Sequence, residues 1–153
     1  MKLYLVRHGQ AVSESVDAER PLSPKGQRDI QNIAQYLKQK SVDVYGIFHS
    51  PLKRAQQTAE IIRHILNPSV SLTVNNYLLP DDPVDRLEEE LRTVNVDSMV
   101  VGHLPFLGHL TAALVGEEFN PNSFHFDTGT VVLLERNQSL KWKMIWHISP
   151  KTI

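Results

Sequence analysis

The sequence predicts an α/β sandwich of three layers, a mostly parallel central sheet covered by helices on both faces. Two observations predict it. Short apolar runs of strand length alternate with stretches whose apolar residues recur at helical spacing. Three of the strand-like runs end in Arg7-His8-Gly9, His49-Ser50 and Gly102-His103. In an open parallel sheet such ends share one rim, and ligands bind there.

Each element has its own justification. Lys2–Val6 reads as the first strand, apolar on both faces near its end, which suits the centre of a parallel sheet. Ser23-Pro24 starts the first helix, with Ser23 as N-cap and Pro24 as first helical residue. Ile30, Ile33, Ala34 and Leu37 then supply its apolar stripe. Val42–His49 is the second strand. Ser50-Pro51 repeats the cap-plus-proline signal, and Ala55, Ala59, Ile62 and Leu66 line a second helix that Asn67-Pro68 ends.

Val70–Val74 is the third strand. Asp82-Pro83 starts the next helix, Asp82 as N-cap, with Val84, Leu87 and Leu91 on one face. Ser98–Gly102 is a short buried strand, followed by a helix over Pro105–Val115 that carries Phe106, Leu107, Leu110 and Leu114. Residues 130–135 and 141–148 form a terminal antiparallel pair. Trp142, Met144, Trp146 and Ile148 alternate along its second member and read as one core face. One domain over 1–153 is expected at ~100–200 residues per domain.

Composition narrows the function. The 16 Lys+Arg and 17 Asp+Glu leave a net charge of −1, so no basic footprint argues for nucleic acid. No apolar run approaches the ~20 residues of a membrane span, and the first residues do not read as a signal peptide. The expectation is a cytoplasmic protein with no membrane or nucleic-acid partner. There is no cysteine. Disulfides, thiolate zinc sites, iron–sulfur clusters and cysteine nucleophiles are thereby excluded. Ser, Asp, Lys or His must carry any covalent step. The sequence has no P-loop, no G-x-G-x-x-G after the first strand, no G-x-S-x-G elbow and no H-E-x-x-H. His125-Phe126-Asp127 reads as a loop pair rather than half a metal site, and no cofactor is expected.

Arg7-His8-Gly9 joins a planar fork of donors suited to phosphate, a ring that serves as nucleophile or base, and a glycine that permits close approach. Ser50-Pro51-Leu52-Lys53-Arg54 brings Arg54 to the first turn of a helix, while Lys53 reads as a solvated charge. Gly102-His103-Leu104-Pro105 adds a second histidine between strand and helix. Taken singly, each has an ordinary structural explanation. Taken together they describe a phosphate site.

In order and spacing, Arg7-His8-Gly9, Ser50-Pro51-x-x-Arg54-Ala55-x-x-Thr58 and Gly102-His103 resemble the histidine phosphatase superfamily, the phosphoglycerate-mutase-like fold. The resemblance spans nearly the whole chain. The short length and the Arg20-Pro21-Leu22-Ser23-x-x-Gly26 segment look like its compact SixA-type phosphohistidine phosphatase branch.

The resemblance implies that His8 is the nucleophile and forms a phosphohistidine intermediate, with Arg7, Arg54 and His103 holding the phosphoryl oxygens beside Gly9. It implies no metal. His8 must then be neutral to attack, and His103 is expected as an imidazolium, which together predict a bell-shaped pH profile. Larger relatives use a carboxylate as proton donor. Here the matching stretch offers only Asp81 and Asp82, and Asp81 is the candidate donor.

A missing acid favours a P–N bond over an ester, because imidazole leaves more readily than an alkoxide. The expected substrate is therefore a phosphorylated protein, with the resemblance pointing to a histidine-containing phosphotransfer domain of a signalling phosphorelay. The alternatives are a phosphomonoesterase acting on a small metabolite with Asp81 as acid, and a phospho-ligand binding module without turnover.

Overall fold

The structure is a computed structural model that describes residues 1–120 and 124–153. Chain order is β1 (Lys2–Arg7), α1 (Pro24–Gln39), β2 (Gly46–His49), α2 (Lys53–Leu66), β3 (Ser71–Val74), α3 (Asp85–Leu91), β4 (Ser98–Gly102), α4 (Phe106–Val115), β5 (Val131–Arg136) and β6 (Trp142–Ile148). Among the described residues the strands form one six-stranded sheet in the order β3-β2-β4-β1-β5-β6. The first four pair in parallel, and β5 pairs antiparallel with both β1 and β6, so β5 alone is reversed. The expected mostly parallel α/β sandwich is what forms.

Side-chain alternation along β1 divides the core into two. Tyr4 and Val6 join Ile47, Met99, Val101, Val131 and Leu133 under α1 and α2. Leu3 and Leu5 join Val100, Val132 and Leu134 under α3 and α4. All four predicted stripe residues of α1 are fully buried, each contributing roughly 1.5–3 kcal/mol when apolar and large.

Register then fixes the rim. Arg7 pairs with Gly102 and Val6 with Val101, while Val101 also pairs with His49. The carboxyl ends of β1, β2 and β4 therefore stop within about one residue of one another, at ~3.3 Å per residue.

Four local expectations change. β2 begins at Gly46 rather than Val42, because its partners end there: Gly46 faces Ser71 on one side and Ser98 on the other. Helix α2 begins at Lys53, and Ser50-Pro51 does not supply its cap or first residue. Helix α3 begins at Asp85, while Asp82 closes a turn by accepting from Leu79 N–H at 2.9 Å.

The apolar stripe of β6 is also not one face. Leu133 faces Trp146 but Leu134 faces Met144, so Ile145 is an extra, unpaired residue. This bulge turns Trp142 and Met144 toward one core and Trp146 and Ile148 toward the other.

Candidate active site

The rim gathers Arg7, His8, Arg54 and His103. His8 follows β1, and its backbone N–H donates to Gly102 O at 3.0 Å, tying it to the end of β4. Its ring is buried and lies 5.1 Å, centroid to centroid, from that of His103. His8 Nδ1 is 2.7 Å from Gly9 O. A carbonyl can only accept, so Nδ1 carries the proton and Nε2 presents a lone pair.

Burial pushes the His8 imidazole down to about 4; the Gly9 hydrogen bond opposes this, and Arg54, Arg7 and Arg20 reinforce it. Burial likewise pushes His103 down to about 3, helped by His8, Arg54 and Arg7. Both shifts favour neutral rings near pH 7; a bound phosphate dianion would act on His103 in the opposite sense, toward the cationic form expected from the sequence.

The antiparallel half of the sheet sets Arg7. Its backbone N–H donates to Thr130 O, and Gly129 N–H donates to Arg7 O. Its Nη1 donates to Phe126 O at 2.8 Å. Burial lowers the Arg7 pKa and the Asp127 carboxylate raises it again. Asp127 also lies 3.6 Å from Lys151. His125-Phe126-Asp127 thus buttresses Arg7, and among the described residues no group of three or more potential ligands is placed to hold a metal.

Arg54 comes from the first turn of α2, with its pKa lowered by burial and then by Arg20 and Arg7. Thr58 anchors that turn: its hydroxyl accepts from Gly9 N–H at 3.0 Å and donates to Arg54 O at 2.7 Å. Gly9 therefore has its N–H committed to Thr58 rather than free for a ligand. It is a glycine because α1 comes close: an added Cβ would meet Ile30 at 2.7 Å. His49 is buried, its Nδ1 donating to Ser50 O at 2.8 Å. Lys53 is an exposed charge 3.8 Å from Glu19.

Buried polar atoms without a partner point to a ligand. Among the described residues these are Arg7 Nε, Arg54 Nε, His103 Nδ1 and Thr130 Oγ1. Three of the four belong to the residues gathered around His8. A group with several acceptor oxygens would satisfy them together.

Asp81 does not join this cluster. It is exposed and is not among the charges that act on His8 or His103.

In the sequence, Arg20 stands only within the Arg20-Pro21-Leu22-Ser23-x-x-Gly26 segment that carries the resemblance. The structure makes it a third guanidinium facing the site. It is held at φ 49°, a left-handed conformation unusual for arginine, with Nε donating to Val12 O at 3.1 Å. It lines an open cleft of about 630 Å³ with Glu14, Glu19, Leu52 and Arg54. The one available signal was an arginine beside a proline on a loop between β1 and α1. The Phe126 carbonyl had no signal at all, because a backbone acceptor leaves no mark on residue type.

Comparison with known proteins fits this geometry. The family model for the histidine phosphatase superfamily (branch 1) matches residues 3–76. The chain is 32% identical to the phosphohistidine phosphatase SixA homolog of Haemophilus influenzae, over 91% of this chain and 92% of that one. It is 29% identical to phosphohistidine phosphatase SixA of Escherichia coli strain K12, over 98% of this chain and 94% of that one. A solved structure of the protein histidine phosphatase SixA complexed with tungstate superposes with a TM-score of 0.88 at 29% identity, covering 99% of this chain and 98% of that one. The chain belongs to the histidine phosphatase superfamily and is a phosphatase.

Proposed function

We propose that this chain, acting as a single domain over 1–153, hydrolyses phosphohistidine on a protein in the cytoplasm through a covalent phospho-His8 intermediate. One observation carries the reading: Gly9 O holds His8 Nδ1 and leaves the Nε2 lone pair available, while buried nitrogens of Arg7, Arg54 and His103, the residues gathered around that ring, have no partner. A phosphoryl group spreads its charge over its oxygens, so positioning and positive charge supply most of its catalysis.

In the first step, His8 Nε2 attacks phosphorus and the substrate's P–N bond breaks. The bond pair goes to the substrate imidazole, which leaves neutral when its other ring nitrogen carries a proton. Water then attacks phosphorus, the P–Nε2 bond breaks and the pair returns to His8; the water's protons leave on the product as dihydrogen phosphate, which gives one up to solvent. Arg7 and Arg54 bind the equatorial oxygens, and Nδ1–H of His8 stays on Gly9 O throughout. Neither step requires a proton donor from the protein, which agrees with an exposed Asp81 that is not among the charges acting on His8 or His103. The names of the two curated relatives, both phosphohistidine phosphatases, support the same substrate. The open cleft beside Arg54 gives a protein-borne group room to approach.

The test offers a radiolabelled phosphohistidine protein and p-nitrophenyl phosphate in parallel. Acid-labile label should be trapped on the wild type and be absent from His8→Ala, whose turnover should fall by roughly 10⁴-fold or more. No label on the wild type with either donor would overturn the covalent step. Much faster turnover of the ester would overturn the P–N preference.

A further inference from the structure

Ser50 lies between β2 and α2 and is fully buried. Its hydroxyl has one proton to give and two lone pairs. Leu52 N–H donates to Ser50 Oγ at 3.2 Å, which uses one lone pair. His103 Nε2 lies 2.6 Å from the same oxygen.

For a neutral ring, two proton arrangements fit that contact. In the first, His103 Nε2–H donates to Ser50. The hydroxyl then accepts twice, and its own proton has no acceptor among the described residues. His103 Nδ1 becomes a bare buried lone pair that would repel phosphoryl oxygens. In the second, Ser50 O–H donates to Nε2. Every polar group on Ser50 is then used, and the proton of the neutral ring must sit on Nδ1. That atom is buried and without a partner, on a ring stacked at a tilt against His8.

We propose that Ser50 is a positioning residue that fixes His103 as the neutral Nδ1–H tautomer, so that His103 serves the phosphoryl group as a hydrogen-bond donor and not as a cation. The proposal rests on the reading of His8 as nucleophile and adds how its neighbour works. The surroundings support it. Toward His103 stand His8 and Arg7 from β1 and Arg54 from the start of α2, while His49 lies beside Ser50; the charges acting on His103 include no carboxylate. Burial and these cations hold the ring well below the ordinary histidine range, at about 3. A tautomer that donates without charge avoids adding a further cation to the guanidiniums of Arg7, Arg54 and Arg20. It also removes the alkaline limb of the pH profile that an imidazolium would impose near neutrality.

The test is long-range ¹H–¹⁵N spectroscopy of the histidine rings in the labelled full chain near neutral pH, with and without saturating inorganic phosphate. Wild type should show His103 with Nδ1 protonated and Nε2 unprotonated in both states. In Ser50→Ala the two tautomers should mix and kcat/KM should fall on the order of tenfold, the loss expected for one hydrogen bond. Ser50→Thr keeps the hydroxyl and should restore both readouts. If the added methyl prevents folding, the wild-type spectrum alone decides. A protonated Nε2 in the phosphate complex, alone or together with Nδ1, would overturn the tautomer while leaving the site intact. Phosphate that shifts neither His8 nor His103 would remove the site reading, and this proposal with it.

Discussion

Ser23-Pro24 and Ser50-Pro51 are the same dipeptide ahead of two helices that pack side by side under the sheet, yet their hydroxyls act differently. Ser23 Oγ accepts from Gly26 N–H at 3.0 Å, and α1 begins at Pro24. Ser50 Oγ takes Leu52 N–H and turns its remaining capacity to His103, and α2 begins three residues later with no side-chain cap. One serine satisfies its own helix. The other sits at a strand end that faces the rim, and its hydroxyl goes to a histidine 53 residues away in sequence. Local sequence offers a hydroxyl; tertiary position decides who receives it.

Substitutions sharpen that contrast. Of the substitutions around the two helix starts, the largest effect is expected at α2. Arg54→Ala removes a guanidinium that has no ion-pair partner among the described residues, so kcat/KM should drop by roughly 10²–10³-fold with thermal stability nearly unchanged. A comparable fall in stability would break the division between a functional and a structural helix start.

Acid should act next. His8 and His103 have folded-state values of about 4 and about 3, below the ordinary 6.5 that each regains on unfolding. The unfolded chain therefore binds more protons between those limits. Stability is fully present above about pH 6.5 and is lost as pH falls toward the folded values. Urea midpoints should register a loss on the order of 2–4 kcal/mol between about pH 7 and about pH 5, since each pKa unit is worth about 1.4 kcal/mol. A flat profile would mean that the rings are not buried as neutral groups.

Ser23→Ala, the structural counterpart, should lower stability by about 1 kcal/mol while kcat stays within about twofold. The smallest effect belongs to the buttress. Asp127→Asn weakens the field on Arg7 and ends the exposed contact with Lys151. It should change kcat/KM by no more than a few-fold and stability by less than about 1 kcal/mol.

Much of the site was legible because chemistry-bearing residues stood at the ends of strand-like runs, and parallel topology brings such ends together. Arg7, His8, Arg54 and His103 were found that way. Asp81, named only because relatives carry an acid nearby, had no such topological reason to join them. The tautomers were not legible, since they depend on which carbonyl or hydroxyl lies within reach of a ring. Burial also lowers the His103 pKa, and a residue name carries no burial. In the fold, Val42–Tyr45 alternate like a strand but lie beyond the ends of both neighbours of β2. Periodicity counts side chains, while a strand also needs a partner backbone.

The bulge at Ile145 has an effect at the boundary of the molecule as well as in its core. Among the described residues the outermost strands of the sheet are β3 and β6. β3 is four residues long, too short to template much pairing. β6 is longer, and its outward side carries Lys143 and a part-exposed Ile145. A strand from a second copy laid along it would meet a broken hydrogen-bonding register midway and a locally increased twist. The residue that divides the aromatic stripe between two cores thus also guards the chain against growing its own sheet into a neighbour.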